Sequence, residues 1–509
     1  MSNPFHRIPS AKKQLETTAL ERLLWAGIRT IRLFVIGGSS NIGSNDGRTQ
    51  AAADAAEFYQ NDGSFRILPI EPAEEPKAYV NRIYRTTLAN YFKKAVVSDS
   101  GKVFSDGIKT DAEGADKDDI EAWWENVDLD GTDAVVFFTE TFKLAEATGV
   151  TGTLVQFKTP EGVLTLADQE NSDSRPYITH LTSEEVLGWS FDDDGLESIR
   201  FLFNYTTYDN FDEKTEQRVA EITRDEIRIY TKDSGNDPAS IEDHDLGFVP
   251  FYECNFNPLG FMRALPPYRD LADLNLQHLN SSSDQSNILH YSRVPLLWVA
   301  QSGTRSASGK KDAQNINTGP EITISATGFI KTGPAPENQV KWVELEGKSI
   351  EAGNKDLERL KSEMDDIGLD LINTTKPETA TGEIIDSNQN NAALESIVPI
   401  MVDHINNVTK AAFRMLDREV EPKSVVNTDF SPAGDGKDAD NIVKLNERGT
   451  ISDKAATKAP SVSRILGEDY DYEEDRKQLE QEAMEKARIA GATPVPDEGG
   501  GDLGNGDGN

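Results

Sequence analysis

The residues best suited to bind a metal ion lie in the segment NVDLDGTDAVVF, residues 126–137. Its Asn, Asp and Gly residues, among them Asp128 and Asp130, occupy positions one, three, five and six of a calcium-binding EF-hand loop. Position twelve of such a loop must supply a bidentate carboxylate, and here it is Phe137. The spacing therefore argues against a calcium site.

No other spacing of reactive residues identifies an active site. The GKS at residues 347–349 has Trp342 where a phosphate-binding loop needs its first glycine. The sequence has no GxSxG motif for a serine nucleophile, and its histidines do not form zinc-binding pairs. We therefore expect no enzyme activity, no cofactor and no metal. The histidines are His6, His180, His244, His278, His290 and His404.

The composition predicts an acidic multidomain protein. At 509 residues the chain is long enough for about three domains. Its 88 Asp and Glu outnumber 52 Lys and Arg, and the formal net charge of -36 repels a polyanion such as DNA. Cys254 is the only cysteine, which suits a reducing compartment. Without a signal-peptide layout or a run of about 18 apolar residues, we expect a protein that is made in the cytoplasm and spans no membrane.

The N-terminal half mixes helical and strand patterns. Helical periodicity covers residues 78–95 and 132–147, and strands are predicted at 101–107 and 151–157. Residues 177–252 are β-rich.

Within that β-rich part, the run WSFDDDGLESIRFLFNY, residues 189–205, predicts a hairpin. Its acidic triple, Asp192 to Asp194, precedes a glycine between two alternating runs, so it indicates a turn rather than a metal site. EIRIY, residues 226–230, predicts a further strand.

After two prolines the chain becomes helical. Residues 268–294 lack Gly and Pro and begin with leucines at helical spacing, yet residues 280–287 read NSSSDQSN. A helix that is polar all round in its middle is either solvated or packed through polar contacts, and we expect such contacts with other copies of the chain.

The next segment, residues 295–346, predicts a β-rich insert. Residues 293–348 contain seven basic and five acidic residues, a balance that differs from the rest of this acidic chain. The contrast indicates a distinct contact surface, although a chance fluctuation in a short window is the alternative.

Two regular helical patterns follow, over residues 357–371 and 394–415, and the polar run TTKPETATGEIIDSNQNNAAL separates them at 374–394. A loop of this length without apolar anchors is usually functional or disordered. Both alternatives stay open on the residues alone.

The order of these elements resembles the portal proteins of tailed bacteriophages. The stretches that carry the resemblance include YVNRIYRTTLANYFKKAVVSDSGKVF, RPYITHLTSEEVLGW, YRDLADLNLQHLNSSSDQSNILHYSRVPLLWV and VKWVELEGKSIEAGNKDLERLKSEMDDIGLDLI. The resemblance extends over residues 55–485 and implies an α+β fold of wing, two-helix stem, β-rich clip, tunnel helix and helical crown. The implied boundaries are 1–54 for an N-terminal helical arm and flexible segment, 55–262 for the wing, 263–292 for the first stem helix, 293–349 for the clip, 350–373 for the second stem helix, 374–393 for the tunnel loop, 394–436 for the tunnel helix and its return to the wing, 437–490 for the crown and 491–509 for a disordered acidic tail.

The resemblance also implies a function. Portal proteins form a ring, commonly of twelve subunits, at one vertex of the capsid in the virion, and double-stranded DNA passes through it during packaging and ejection without sequence specificity. The implied partners are further copies of the chain, the terminase large subunit, a head-to-tail adaptor, the major capsid protein and a scaffold protein, and no membrane is involved. The alternatives are another ring-forming structural connector of the virion and a cytoplasmic hydrolase that uses paired acids.

Two groups of candidate site residues follow from the resemblance. Lys376 is the one basic residue of the polar run and is our candidate for a transient phosphate contact. A mobile polar loop suits a surface near moving DNA, whereas a disordered linker is the competing interpretation. The DNA-facing tunnel-loop candidates are Lys376, Glu378, Glu383, Asp386, Asn388, Asn390 and Asn391, and the clip docking candidates are Arg305, Lys310, Lys311, Lys331 and Lys341.

Overall fold

A computed structural model of the chain has a mixed α+β fold. It describes residues 3–37, 67–70, 74–158, 175–209, 212–244, 246–293, 296–300, 329–332, 339–343, 347–368, 380–428 and 430, and isolated positions between 442 and 481. The chain divides into two units, Met1–Phe430 and Ser431–Asn509. In the second unit, the described positions 442, 444, 446, 472, 475–479 and 481 are helical, and all lie in the segment 437–490 that was predicted as a helical crown. The remaining positions of that segment and the whole predicted tail lie outside the described residues.

The first unit begins with helices. These are α1 (Pro9–Thr17), α2 (Ala19–Ala26), α3 (Ile28–Gly37), α4 (Pro76–Arg85) and α5 (Tyr91–Val103). The apolar faces of α2 to α5 share one core, which includes the fully buried Leu23, Leu24, Ile83 and Phe92. The amphipathic spacing of the sequence therefore places these helices against one another.

Two predictions in this region are wrong in detail. The single helix predicted over 78–95 is two helices, because Thr86 leaves the helical conformation and the Asn90 side chain accepts a hydrogen bond from the Lys93 N–H at 2.9 Å, which starts α5 anew. The strand predicted at 101–107 is wrong in its first part. Val103 is fully buried, about three turns of α5 after Phe92, and continues its apolar stripe.

An antiparallel sheet forms the centre of the α/β part. Strand β2 (Val150–Phe157) lies between β3 (Pro176–Thr182) and β9 (Phe251–Asn255). Helices α6 (Ala115–Trp124) and α7 (Ala134–Thr148) contribute to the core on this sheet, and a short pair joins β1 (Lys109–Thr110) to β15 (Ser424–Val425). Helix α7 and strand β2 confirm the helix and strand predicted at 132–147 and 151–157.

A five-stranded antiparallel meander lies beside it. Its strands are β4 (Val186–Asp192), β5 (Gly195–Asp209), β6 (Asp212–Thr223), β7 (Glu226–Tyr230) and β8 (Ser240–Asp243), hydrogen-bonded in that order. The β4–β5 turn confirms the predicted hairpin. Asp192 accepts a hydrogen bond from the Asp194 N–H at 2.8 Å and pairs with Arg224 at 2.6 Å, so the acidic triple belongs to a turn. A small pair, β10 (Pro258–Gly260) and β11 (Arg263–Ala264), follows β9.

The C-terminal part of the first unit is built on three long helices. Helix α8 (Arg269–Ser292) leads to a small sheet of β12 (Leu296–Ala300), β13 (Phe329–Thr332) and β14 (Gln339–Val343), and α9 (Lys348–Gly368) returns from it. In this sheet β12 is central, parallel to β13 and antiparallel to β14. Helix α10 (Ala380–Arg414) then extends over 35 residues.

The loop predicted over 374–393 is therefore wrong from Ala380 onward, where the backbone is helical. Neither of the two helix-disfavouring residues of this run, Pro377 and Gly382, stands where it would interrupt the helix. Pro377 precedes the first helical residue, and Gly382 falls in the first turn, where it costs only about 1 kcal/mol relative to alanine. Residues 374–379 lie outside the described part of the chain.

Candidate functional site

Helices α8 and α9 form an antiparallel hairpin with the β12–β14 sheet between them in sequence. Ser281 of α8 donates to Asp356 of α9 at 3.1 Å, and four residues later Gln285 donates to the Ile350 carbonyl oxygen at 2.9 Å. Residues later in α8 thus contact residues earlier in α9, so the two helices are antiparallel. The helices contain 24 and 21 residues, so each is about 30 to 36 Å long.

The polar middle of α8 finds its partners within the same chain. Ser283 is 1% exposed, and its hydroxyl lies 2.8 Å from the hydroxyl of Thr86 and accepts from Arg82 at 3.2 Å. The Arg82 guanidinium, 3% exposed, also binds both oxygens of Glu74 at 2.9 Å. Asn287 accepts from Arg85 at 3.0 Å. One side of the polar run is thus satisfied by α4 and the segment before it.

The other side of the polar run faces α9. Gln285, 5% exposed, donates to the Asn354 side chain at 2.9 Å as well as to the Ile350 carbonyl. A Cβ atom at Gly353 would lie 2.0 Å from the Gln285 Oε1 atom, so any other residue there would have to displace the Gln285 amide. An isolated glycine in a strong helical pattern was the sequence signal for this contact, and our sequence interpretation missed it.

These contacts correct the reason that we gave for NSSSDQSN. We expected its polar side chains to pack against other copies because the sequence shows no partner within the chain. The partners are Arg82, Arg85, Thr86, Asn354 and Asp356, which are distant in sequence. Packing of the hairpin against other copies remains a prediction, but the polar run does not require it.

The base of the hairpin is fixed by a buried acidic cluster. Tyr268, which precedes α8, donates its hydroxyl proton to Asp99 of α5, and Lys102 pairs with the same carboxylate at 2.8 Å. Glu146 of α7 lies beside them and is 1% exposed. Burial, and then the nearby Asp99 carboxylate, raise the pKa of Glu146 well above its ordinary value.

A second set of contacts ties the first turns of α8 to the helices before it. The Asn275 side chain, fully buried, donates to the Ala89 carbonyl at 2.8 Å and accepts from the Phe92 N–H at 3.2 Å. Glu21 of α2 is 2% exposed and feels the charges of Arg269 and Asp273 of α8. Burial raises the pKa of Glu21 to about 7. The hairpin is thus anchored at its base by buried polar groups.

The sheet between the hairpin helices carries two of the five clip candidates. Lys331 of β13 pairs with Val299, and Lys341 of β14 pairs with Trp298. Because Trp298 and Val299 are successive residues of β12, the two lysine positions fall on opposite faces of the sheet. Their role in docking stays a prediction. The other three candidates, Arg305, Lys310 and Lys311, lie outside the described residues.

The tunnel candidates fall before or within α10. Lys376 and Glu378 lie outside the described residues, and Glu383, Asp386, Asn388, Asn390 and Asn391 occupy helical positions. At 100° per residue, the positions of Glu383 and Asn390 fall on the same stripe as the buried Leu394 and Met401. From Leu394 onward this stripe is apolar and enters the core, whereas before Leu394 it carries the polar residues Glu383 and Asn390. This difference distinguishes the first turns of α10 from the rest of the helix.

The remaining reactive residues serve the core. Cys254 is fully buried, with its Sγ 3.9 Å from the Met401 Sδ, and burial raises its pKa. His404 lies 2.9 Å from the Thr153 hydroxyl, and burial lowers its pKa to about 4, so it is neutral. Within the described part of the chain, no group of three or more His, Cys, Asp or Glu side chains could hold a metal ion.

The EF-hand-like segment is a closed turn. Asp128 Oδ1 accepts from the N–H groups of Asp130 at 2.9 Å and Thr132 at 3.1 Å, and Asn126 Oδ1 accepts from the Gly131 N–H at 3.1 Å. These side chains therefore satisfy the backbone of their own loop. Among the helices that the structure describes, none is both long enough and apolar enough to cross a membrane.

Comparison with known proteins identifies one family. Residues 267–415 match a family described as a domain of unknown function, DUF4055. The matched segment starts two residues before α8 and ends one residue after α10, so it coincides with the hairpin, its sheet and the long helix. No curated protein matches the chain.

Proposed function

We propose that the chain is a portal subunit, which assembles into a ring at one capsid vertex and forms a conduit for double-stranded DNA. The observation that carries the proposal is the helical hairpin with a small sheet between its helices, followed by a 35-residue helix whose second half enters the α/β core. In this proposal α8 and α9 are the stem, β12–β14 the clip, and α10 the tunnel helix, with the preceding α/β part as the wing.

The hairpin has the properties that a stem requires. Its two helices are joined by side-chain hydrogen bonds from Ser281 and Gln285, and its base is held by Tyr268 and Asn275. A stalk that is fixed at its base and along its length can hold a terminal sheet at a constant distance from the body. Such a sheet is a suitable docking platform for a terminase and later for a tail adaptor.

The charge of the chain supports a conduit rather than a DNA-binding surface. A protein that neutralises phosphates with basic side chains binds DNA tightly, and each contact adds to the affinity. A formal charge of -36 on every subunit favours weak contact with the passing duplex. The polar first turns of α10, with Glu383 and Asn390 on the stripe that later becomes apolar, are the part of the described chain that we assign to the bore.

Electron microscopy of the purified full-length chain tests the proposal. We expect rings of about twelve subunits with a central opening that admits duplex DNA. Light scattering of the same sample gives the subunit number independently. A stable monomer at micromolar concentration would refute the proposal.

A second experiment separates a portal from another ring-forming connector. Co-expression with the major capsid protein and scaffold of the same virus should place one ring at a single vertex of each shell, seen by asymmetric reconstruction. Shells that assemble normally and exclude the ring would instead assign the chain to a connector that is added after packaging.

A further inference from the structure

A cleft of about 670 Å³ opens beside the first half of helix α7. Its walls come from three places: the loop that holds Asp128 and Asp130, the α7 residues Val136 and Glu140, and strand β3 with His180. This volume is within the range of about 300 to 1,000 Å³ that is typical of binding pockets. The question is what such a cleft would bind.

The walls of the cleft are held in place. The loop is tied to β3 by a hydrogen bond from the Ile178 N–H to the Val127 carbonyl at 2.9 Å, and it is closed on itself through the Asp128 carboxylate. The rings of Phe137 and His180 stack at 3.8 Å with an angle of 8° between their planes. A ligand would therefore meet a site that needs little reorganisation.

The charges at the cleft select a cation. Glu140 is paired with Lys143 at 3.4 Å, whereas no basic side chain of the described residues forms an ion pair with Asp128 or Asp130. Burial lowers the pKa of His180 to about 4, so that ring adds no positive charge. Burial disfavours ionisation of Asp128, but the hydrogen bonds from Thr132 and Asp130 outweigh it and lower its pKa. The Asp128 and Asp130 carboxylates therefore line the cleft without an ion pair to a described basic side chain.

The apolar part of the cleft selects the shape of that cation. Val136 is 62% exposed although it is large and apolar, and the partly exposed Val135 lines the same cleft. An arginine side chain combines a three-methylene stem for such walls with a planar guanidinium that donates to two carboxylates at once. An inorganic cation would leave the apolar walls uncovered.

We propose that this cleft binds an arginine side chain presented by a segment of a partner protein. The assignment rests on the cleft, the two carboxylates in it that form no ion pair with a described basic side chain, and its exposed apolar wall. It does not depend on ring assembly or on passage of DNA, so it can fail or succeed independently of the proposed function.

Saturation-transfer NMR with the full-length chain tests the proposal directly. The probe is the capped peptide N-acetyl-Ala-Arg-Ala-amide, and its matched control carries citrulline, which has the same shape without the charge. We expect transfer to the arginine methylenes and at least about fivefold weaker binding of the citrulline peptide, which corresponds to the loss of one ion pair. Equal binding of the two peptides would overturn the proposal.

Variants locate the site. Asp128→Asn together with Asp130→Asn removes both charges, while the asparagine oxygen can still accept the loop hydrogen bonds, and we expect the arginine signal to fall at least about fivefold. Val136→Lys, at an exposed position, should have the same effect because its ammonium neutralises the carboxylates. Asp193→Asn, at the exposed β4–β5 turn, is the control and should change nothing. Undiminished binding by both cleft variants would refute the assignment. If putrescine binds as tightly as the arginine peptide, the cleft is a general cation site and the assignment is also refuted.

Discussion

A single methyl group at Gly353 tests the polar contact between the hairpin helices. Its Cβ would lie 2.0 Å from Oε1 and 2.8 Å from Cδ of Gln285. Gln285 is nearly buried and donates to the Ile350 carbonyl and the Asn354 side chain, both at 2.9 Å. The substitution Gly353→Ala therefore has to displace the Gln285 amide and break both hydrogen bonds.

The magnitude follows from two opposing effects. Each neutral hydrogen bond contributes about 1 kcal/mol, so displacement of the amide costs about 2 kcal/mol. Alanine is favoured over glycine inside a helix by about 1 kcal/mol. We therefore expect Gly353→Ala to destabilise the hairpin by about 1 kcal/mol in the wild-type background. With Gln285→Ala already present there is no amide to displace, and the same change should stabilise the hairpin by about 1 kcal/mol.

Hydrogen exchange measured by mass spectrometry is the suitable assay. A chain of 509 residues does not unfold in one step, whereas peptides from α8 and α9 report the local opening of the hairpin. A change of 1 kcal/mol alters the exchange rate about fivefold, so exchange should accelerate in Gly353→Ala and slow down when that change is added to Gln285→Ala.

A matched control isolates the effect of the contact. Gly101 lies in helix α5, and a Cβ atom there would have no neighbour within 4 Å. Gly101→Ala should therefore slow exchange in α5 whatever residue is at position 285. If Gly353→Ala changes the exchange rate in the same direction and to the same extent in both backgrounds, the close contact between Gly353 and Gln285 is refuted.

Three further predictions follow from other residues. Arg82→Met should destabilise the junction of α4 and α8 by about 3 to 5 kcal/mol, because it leaves buried polar partners without a donor. Arg359→Ala removes only exposed ion pairs and should cost less than about 1 kcal/mol. Local hydrogen exchange measures both changes. Burial raises the pKa of Glu21 from 4.5 to about 7. The protonated carboxyl therefore supports the fold at low pH, and this contribution is lost as the pH rises through that interval. The loss amounts to about 2 to 3 kcal/mol between pH 5 and 8. Glu21→Gln should remove this part of the pH dependence of the hydrogen-exchange protection factors of α2 peptides, and an unchanged pH dependence would contradict the burial of a neutral carboxyl group. Lys376→Glu should leave ring assembly intact and change DNA packaging or retention in an in vitro packaging assay, and unchanged packaging would remove the proposed phosphate contact.

The helical and strand patterns of single elements could be predicted because they depend on near neighbours. Leu360 and Met364 recur at helical spacing, and both are fully buried in α9 as the pattern predicts. The Asp-Gly turn at residue 195 likewise fixes a local hairpin. The ends of elements were less predictable. Helix α10 already begins at Ala380, since Pro377 lies before its first residue and Gly382 in its first turn does not interrupt it.

The candidate surfaces could be predicted only as positions along the chain. Alternation tells which residues of one strand share a face, but not how two strands align. Lys331 and Lys341 were grouped as one docking patch, and the register of β12 with its two neighbours puts them on opposite faces. The cleft beside α7 was not predicted at all, because the same acids were considered only as calcium ligands.

The sequence by itself determined the acidic charge, the absence of a recognisable catalytic motif, the order of the elements and the apolar stripes, because each of these is a property of composition or of residues a few positions apart. Only the tertiary structure decided where the polar side chains of α8 find partners and which acids are buried. Gln285 meets Ile350, which is 65 positions away, and Ser283 meets Thr86, which is 197 positions away. Such pairings depend on how distant segments pack, and no local spacing encodes them.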